Sequence, residues 1–316
     1  MTGSRVVALG HYQPAKVLTN DDLAAMVDTS DEWITSRVGI RTRHIGGPDE
    51  PVDELAAHAG AKALAGAGLR PAEVDLVLVA TSTAIDRSPS MSARVAARLG
   101  MESPAVMDIN VVCSGFTHAL ATADHAIRAG AAERVLVIGA DKMGDIADWT
   151  DRSTCVLLGD GAGAAVVVAE PDGVERPGIG PVLWGSVPGM GNAVRIEGTP
   201  PRFAQEGQSV YRWATTQLPP IARKVCEKAG VATEELGAVV LHQANLRIIE
   251  PIARKIGAVN AVVARDVVDS GNTSAASIPM ALSKLVERGE VHSGAPVLLF
   301  GFGGNLSYAG QVIRCP

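Results

Sequence analysis

The strongest constraint on the fold is an internal repeat, in which three segments of the first half recur in the same order in the second half. The members of each pair lie roughly 160 residues apart, about half the chain. The pairs are Glu73–Thr81 (EVDLVLVAT) and Glu235–Gln243 (ELGAVVLHQ), Val111–Gly115 (VVCSG) and Val267–Gly271 (VVDSG), and Val135–Ala140 (VLVIGA) and Val297–Phe302 (VLLFGF). Because the three matches keep one order, the pattern predicts two copies of one unit, packed as pseudo-symmetric halves.

Each copy has the alternating pattern of an α/β fold. The apolar, β-branched runs Val74–Ala80 and Val135–Ala140 follow the Ala-rich helical stretches Ala56–Ala67 and Phe116–Gly130. Strands this apolar are usually covered by helices on both faces, so we expect α/β/α layering. The Gly- and Pro-rich segment Pro171–Pro201 is expected to be a joint and loop region.

Composition narrows the class of protein. The chain has 316 residues and is 47% hydrophobic, yet no uncharged apolar stretch reaches about 18 residues, so we expect no membrane span. Met1–Pro14 lacks the features of a secretory signal, and the net charge of −6 disfavours nucleic-acid binding. The cysteines show neither a CxxC pair nor a zinc pattern: Cys113, Cys155, Cys226 and Cys315. We expect a cytoplasmic protein with reduced thiols and no metal site.

The two copies differ at a site that carries chemistry, because Cys113 matches Asp269 in the repeat. We expect a strand to end at Val112 and a helix to begin after the following Ser-Gly pair. A helix N-terminus favours a thiolate, and the Cys113 N–H group is placed to bind an oxyanion. The alternative is a buried structural cysteine.

Candidate partners for Cys113 lie in the second half. His242, expected at the end of a strand, can donate a hydrogen bond to a developing negative charge, and its alternative is an ordinary polar residue. Asn272 can donate to an oxyanion, and its alternative is a helix cap. The glycines of Phe300–Gly304 allow close approach of a ligand, or form a simple turn. The repeat places Cys113, His242 and Asn272 at the ends of strands. Because ligands collect at strand ends in α/β sheets, it predicts one shared site.

A glycine-rich segment, Gly159–Gly163 (GDGAG), is similar to part of a dinucleotide-binding loop. It leads into Ala164–Ala169, which has the pattern of a strand and not of the helix that such a loop requires. We interpret it as a tight turn beside the active site and expect no NAD site.

Six segments of the chain resemble, in the same order, the signature stretches of the β-ketoacyl-acyl carrier protein synthase III family of thiolase-like condensing enzymes. They cover essentially the whole chain: Ser30–Ile45, Val111–Leu120, Asp151–Val166, Leu241–Ile249, Asp269–Ser277 and Gly301–Asn305. The resemblance implies a thiolase-like five-layered α/β/α/β/α fold of two pseudo-symmetric halves. Residues 1–170 would hold the nucleophilic cysteine and residues 171–316 the histidine and asparagine. It also implies a homodimer, with Val106–Val112 as the interface strand.

The resemblance also assigns roles to residues. The family's catalytic triad maps onto Cys113, His242 and Asn272, and its oxyanion hole onto the N–H groups of Cys113 and Gly304. The family's coenzyme A contacts match Trp33, Arg37 and Arg152. Its carrier-protein docking residues correspond to Arg212, Arg247, Arg254 and Lys255, for which the alternative is ordinary helix-surface charge. The acyl pocket is expected to include Met143 and Leu158.

The implied reaction begins fatty acid synthesis and has two halves. Acyl-coenzyme A acylates Cys113, and decarboxylative condensation with malonyl-acyl carrier protein then gives β-ketoacyl-acyl carrier protein, coenzyme A and CO₂, without a metal or redox cofactor. A related acyltransferase or starter-unit ketosynthase of secondary metabolism would share the triad and remains the alternative. A non-catalytic relative would lack the cysteine, and a thiolase would need a second cysteine in a Gly-rich motif. The chain departs from the family pattern at Val112, Leu158, Asn305 and Ile85–Ser90, and these departures bear on the starter preference. Leu158 leaves more room than an aromatic side chain would, which favours starters larger than acetyl.

Overall fold

Residues 3–316 are described by a computed structural model, in which two five-stranded sheets are surrounded and separated by helices. The strands are β1 Ser4–Tyr12, β2 Val17–Thr19, β3 Thr42–His44, β4 Leu76–Ala80, β5 Ala105–Ile109, β6 Arg134–Lys142, β7 Asp160–Ala169, β8 Leu183–Gly185, β9 Val194–Glu197, β10 Arg202–Gln205, β11 Ala238–Leu241, β12 Val262–Val263, β13 Pro296–Phe302 and β14 Tyr308–Arg314. The helices are α1 Asn20–Ala24, α2 Asp31–Val38, α3 Val52–Ala67, α4 Met91–Arg98, α5 Gly115–Arg128, α6 Gly207–Ala229, α7 Leu246–Ile256, α8 Val267–Ser270 and α9 Ser277–Glu287.

The two sheets have the same topology. The first has the order β1-β7-β6-β4-β5, and the second has the order β8-β14-β13-β11-β12. In each sheet the last three strands of that order are parallel and the first two join antiparallel. The position between residues 170 and 171 lies between β7 and β8, and therefore between the two sheets. The matching strand order of the two sheets confirms the two pseudo-symmetric halves.

Five layers follow from where the helices pack. Helices α3 and α4 cover the outer face of the first sheet, and α6 and α7 cover that of the second. Helices α5 and α9 lie between the sheets, where Phe116 and Leu282 share one apolar core with Val137 and Leu299. Strand β4 is buried along its whole length, as its apolar run predicts. The α/β/α/β/α layering is thus confirmed.

Glycines in the two central strands let the halves approach closely. A Cβ atom at Gly139 of β6 would lie 2.2 Å from the carbonyl oxygen of Ala275, and one at Gly301 of β13 would lie 3.0 Å from the Cα of Ser114. Each glycine therefore accommodates the short 3₁₀ turn that precedes the central helix of the other half: Val112–Ser114 before α5, and Ser274–Ala276 before α9.

Three local expectations are wrong. The strand before Cys113 ends at Ile109, because Val112 has a φ of 47°, which a strand does not accept. The segment Gly159–Gly163 is not a tight turn, because its last four residues belong to β7, and Gly163 packs against α9. The structural counterpart of Cys113 is Ala275 and not Asp269, because the two 3₁₀ turns and the helices after them correspond.

Of the helices formed by residues 3–316, none combines the length and the apolar character needed to cross a membrane.

We predict that Gly139→Ala lowers the free energy of unfolding by about 2 kcal/mol or more, because the new methyl group would overlap backbone atoms of Ala275. Urea unfolding followed by circular dichroism measures the change. Gly207→Ala is the control, since a Cβ atom there would have no neighbour within 4 Å apart from the adjoining residues and the backbone of its own helix. Equal stability of the two variants would show that the halves can shift apart without loss.

Candidate active site

Cys113 lies in the middle of the 3₁₀ turn that leads into α5, and it is 6% exposed. The preceding Val112 is a β-branched residue with a positive φ, an uncommon and strained conformation. The backbone of Gly303 and Gly304 lies directly against this turn, so that a Cβ atom at Gly303 would be 2.9 Å from the Cys113 sulfur. The nucleophile candidate is therefore held between the start of one helix and the end of a strand of the other half.

His242 directly follows β11, as expected. Its backbone N–H donates to the carbonyl oxygen of Phe300 at 2.9 Å, and its ring packs edge-on against Phe302 at 5.4 Å. The Nδ1 atom forms a 2.8 Å hydrogen bond with the Ser277 hydroxyl, so the other ring nitrogen, Nε2, is left for the cavity. Ser277, which no sequence pattern singled out, therefore fixes the orientation of the imidazole.

Asn272 does not lie at the end of a strand. It follows α8 and Gly271, and its backbone pairs with the segment around Leu158: the Asn272 N–H donates to Leu157 at 2.7 Å, and the Gly159 N–H donates to Asn272 at 3.1 Å. The side-chain oxygen of Asn272 accepts the Ser274 N–H at 2.9 Å. Because the oxygen is engaged, the amide N–H₂ group is the free end of the side chain.

The three candidates line one narrow cavity of about 40 Å³. Its wall is mostly apolar and includes side chains from the segment before β7, from strands β9, β10 and β13, and from helices α6 and α7: Leu157, Val194, Phe203, Val210, Ile248 and Phe302. The two residues expected in the acyl pocket, Met143 and Leu158, are both fully buried. The described lining of the cavity includes neither of them, but it does include Leu157. Leu157 and Leu158 are adjacent in the chain, and the sequence alone does not reveal which of the two side chains faces the cavity.

Burial sets the protonation of the site. It raises the pKa of Cys113 to about 11, although hydrogen bonds from the Ser274 hydroxyl and the Gly304 N–H lower it. Burial also lowers the pKa of His242 to about 3. The stabilisation of a thiolate by the helix N-terminus is therefore outweighed by desolvation, and the site holds a neutral thiol and a neutral imidazole at pH 7.

The three residues expected to contact coenzyme A lie together on the surface. The guanidinium of Arg37 lies 4.6 Å from the centre of the Trp33 ring, and that of Arg152 lies 5.2 Å from it. Arg152 also pairs with Asp28 at 3.0 Å. An indole ring with two cations beside it suits a ligand that has both an aromatic ring and phosphates.

The basic residues expected to dock the carrier protein lie on α6 and α7: Arg212, Arg247, Arg254 and Lys255. Arg247 and Arg254 border a groove of about 390 Å³, and Arg247 donates to the carbonyl oxygen of Ser36 on α2 at 2.7 Å. Lys255 donates to the carbonyl oxygen of Thr215 at 2.6 Å, so its ammonium group already bridges α7 to α6. Of the four residues, Arg247 and Lys255 therefore already have hydrogen-bond partners within the protein.

Comparison with known proteins identifies the family of this chain. Family models for 3-oxoacyl-[acyl-carrier-protein] synthase III match residues 107–186, and its C-terminal part matches residues 226–315. Beta-ketoacyl-[acyl-carrier-protein] synthase III 2 of Streptomyces avermitilis is 81% identical over all of both chains, and synthase III 4 of Streptomyces coelicolor is 78% identical over 99% of both.

Solved structures of related condensing enzymes have the same fold as this chain. The priming β-ketosynthase of the R1128 polyketide pathway superposes with a TM-score of 0.95 at 40% identity, covering 99% of this chain and 96% of that one. The 3-oxoacyl-[acyl-carrier-protein] synthase III of Aquifex aeolicus superposes with a TM-score of 0.93 at 39% identity, covering 99% and 100%. The fold and the shared cavity define a thiolase-like condensing enzyme, an acyltransferase. The chain belongs to the 3-oxoacyl-[acyl-carrier-protein] synthase III family, also called β-ketoacyl-acyl carrier protein synthase III.

We predict that stability falls on acidification because His242 is buried in its neutral form. An unfolded histidine takes up a proton below its ordinary pKa of 6.5, whereas folded His242 does so only near 3. Between these values the free energy of unfolding should fall with decreasing pH, by up to about 1.4 kcal/mol per pH unit. His242→Asn should make the fall less steep, as urea unfolding at a series of pH values will measure.

His11 contributes in the same direction, because burial lowers its pKa to about 4, but it is present in both proteins and cancels in the comparison. Equal slopes for the wild type and His242→Asn would contradict a neutral buried imidazole.

Proposed function

We propose that this enzyme transfers an acyl group from acyl-coenzyme A to Cys113 and condenses it with malonyl-acyl carrier protein, the step that starts fatty acid synthesis. The observation that carries the proposal is the single cavity shared by Cys113, His242 and Asn272 in a member of this family. Cys113 supplies the nucleophile, and the other two supply the hydrogen-bond donors that the second half-reaction needs.

In the first half-reaction, the Cys113 sulfur attacks the thioester carbonyl. The N–H groups of Cys113 and Gly304 hold the oxyanion, which is supported by the contact of the Gly304 N–H with the resting sulfur. The tetrahedral intermediate then expels coenzyme A as the thiol, and the acyl group stays on Cys113. Because the resting thiol is neutral, it loses its proton as the attack proceeds, and the departing coenzyme A sulfur takes up a proton in turn, so the step releases none overall.

In the second half-reaction, the malonyl group loses CO₂ and leaves an enolate. Its oxygen accepts hydrogen bonds from the Nε2 of His242 and the amide nitrogen of Asn272, the two groups left free by their contacts with Ser277 and Ser274. The enolate carbon attacks the acyl carbonyl, and the bond to sulfur breaks. The Cys113 thiolate takes up a proton from solvent to restore the resting thiol, and the β-ketoacyl product leaves on the carrier protein.

The substrates reach the cavity from the surface that carries Trp33, Arg37 and Arg152, which would bind the nucleotide part of coenzyme A. The neighbouring groove, which Arg247 and Arg254 border, would receive the acidic carrier protein, and Arg212 on α6 would be a further contact. Lys255 would contribute least, because its ammonium group is engaged by α6. No metal or redox cofactor enters this scheme.

A short starter fits the cavity best. A volume of about 40 Å³ corresponds to about three water molecules, too little for a long chain. The expectation of a larger pocket depended on Leu158, which is not among the described lining residues. We therefore propose acetyl or a similarly small group as the preferred starter.

A priming ketosynthase of secondary metabolism is the second candidate. It is favoured by the similarity to the R1128 priming ketosynthase, which slightly exceeds the similarity to the Aquifex enzyme in both identity and TM-score. The two functions differ in whether the enzyme condenses its starter with malonyl-acyl carrier protein of fatty acid synthesis.

We further propose a cytoplasmic homodimer. Strand β5 is a sheet edge, and its Val106 and Met107 are 40% and 48% exposed. Trp184 of β8 is 44% exposed and contacts α5, which also packs on β5, so both sheets present apolar groups at one side of the molecule. Pairing of β5 with its counterpart in a second copy would satisfy this edge and cover the patch.

We predict that the two half-reactions separate in variants. Cys113→Ser should lose the acyl adduct seen by intact-mass spectrometry after incubation with acyl-coenzyme A. Asn272→Ala should still take up the acyl group but lose condensation by on the order of 10²–10³-fold. An adduct that persists on Cys155, Cys226 or Cys315 in Cys113→Ser would overturn the nucleophile assignment. A panel of acyl-coenzyme A thioesters identifies the starter, and acyl transfer without condensation in the wild type would favour the second candidate.

We predict that Met107→Asp weakens the dimer, because it places a negative charge on each of two facing edge strands. Light scattering at micromolar concentration should give about twice the 32.6 kDa chain mass for the wild type and a lower mass for the variant. Val259→Asp is the control, since Val259 is an exposed aliphatic residue on the loop after α7. A wild-type mass near 32.6 kDa would reject the dimer.

A further inference from the structure

A fully buried carboxylate lies at the contact between the two halves. Asp141 is on β6 of the first half, and one of its oxygens accepts the backbone N–H groups of Ser82 and Thr83 at 2.8 and 3.1 Å and the hydroxyls of Thr81, Ser82 and Thr83. Its other oxygen accepts the N–H group of Ala275, in the second half, at 3.0 Å. A carboxylate with this many donors in the interior holds its partners in fixed positions.

The Ser274–Ala276 turn, which this carboxylate binds, contacts two of the catalytic residues through Ser274. The Ser274 N–H donates to the side-chain oxygen of Asn272 at 2.9 Å, and the Ser274 hydroxyl donates to the Cys113 sulfur at 3.7 Å. Ser274 has a φ of 50°, a strained conformation for a residue other than glycine. Such strain persists only where surrounding contacts enforce it, and Asp141 supplies one of those contacts to the next residue.

We propose that Asp141 and Ser274 are positioning residues of the condensation reaction, which set the direction of the Asn272 amide and hold a hydrogen-bond donor against the Cys113 sulfur. The proposal rests on the function proposed above and concerns Asp141 and the Ser274 hydroxyl, to which no role in it was assigned. It predicts two separable effects, one on each catalytic group.

The pseudo-symmetry explains how a carboxylate came to lie there. The 3₁₀ turns before α5 and α9 correspond, so the Ala275 N–H is the counterpart of the Cys113 N–H. In the catalytic half, that N–H faces the cavity where an oxyanion would form. In the other half, the equivalent N–H donates to the side chain of Asp141, which fills the second anion-binding position.

The consequence for Asn272 follows from its amide chemistry. With its oxygen engaged by the Ser274 N–H, Asn272 presents only N–H donors to an enolate. If the turn moved, the amide would be free to rotate by half a turn and present its oxygen, which would repel the enolate. The approach of Gly139 to Ala275 limits how far the turn can move in one direction, and Asp141 limits it in the other.

Asp141→Asn tests the first effect. Whichever way the new amide turns, its N–H₂ group faces an N–H donor, of Ala275 or of Ser82 and Thr83, so the turn loses its anchor. We expect condensation to fall on the order of 10- to 100-fold, as for the loss of one donor, and acylation of Cys113 to fall much less. Asp124→Asn is the matched control, because Asp124 is also a buried carboxylate but bonds Ser4 and Arg128 at the other end of α5.

Ser274→Ala and Ser274→Gly test the second effect. Both remove the hydroxyl, while glycine also relieves the positive φ. In both variants the pH profile for alkylation of Cys113 by iodoacetamide should shift upward by about one unit, since a thiolate loses a charge-assisted hydrogen bond. Ser92→Ala, which removes a buried hydroxyl at the start of α4, should leave the profile unchanged.

The outcomes separate the inference from the proposed function. Wild-type enzyme that acylates but does not condense would overturn the proposed function. Wild-type condensation, with equal loss of both half-reactions in a folded Asp141→Asn variant, would overturn the positioning role of Asp141. An unshifted alkylation profile in both Ser274 variants would overturn that of Ser274, and this measurement stands even if Asp141→Asn does not fold.

Discussion

The contact on which the site depends is the packing of the Ser274–Ala276 turn against β6. The missing side chain of Gly139 and the carboxylate of Asp141 let the turn approach the first half and bind there. From that point the chain runs back to Asn272, while the same turn reaches Cys113 through the Ser274 hydroxyl. One contact thus fixes the distance between Cys113 and Asn272, which are far apart in the sequence. Gly301 makes the reciprocal contact, because it lets β13 approach the turn before α5.

Burial then decides the chemistry available to these residues. A thiol and an imidazole, both desolvated, remain neutral, and neither contributes a resting charge to the cavity. The site must therefore stabilise negative charge when it develops, which N–H groups do best where water is excluded. Apolar walls such as Phe203 and Phe302 keep the volume small. A donor that is fixed before the reaction needs no reorganisation during it, so the anchoring of Asn272 and His242 is part of the mechanism.

Much of this follows from the sequence, because repeats and apolar runs report packing directly. The alternation of strands and helices predicts the layers, and the divergence of the repeat predicts that Cys113 and its helpers lie in different halves. The register within the repeat was wrong at Cys113, because VVCSG and VVDSG match in letters although their backbones do not correspond. What determines that correspondence is the positive φ shared by Val112 and Ser274, two residues with unlike side chains. The roles of Leu157, Asp141 and Lys255 depend on side-chain direction, which spacing does not encode.

Pseudo-symmetry also accounts for the difference between the two halves. Duplication of one unit places an N–H group at the start of each central helix, and both positions attract anions. The enzyme leaves one position open for a transient oxyanion beside Cys113 and fills the other with Asp141. An open second position would expose unpaired donors in the interior, which is costly, whereas a buried carboxylate satisfies them and ties the halves together. The N–H group before the central helix therefore serves catalysis at Cys113 in one half and rigidity at Ala275 in the other. The catalytic geometry around Cys113 depends on the contact of Ala275 with Asp141.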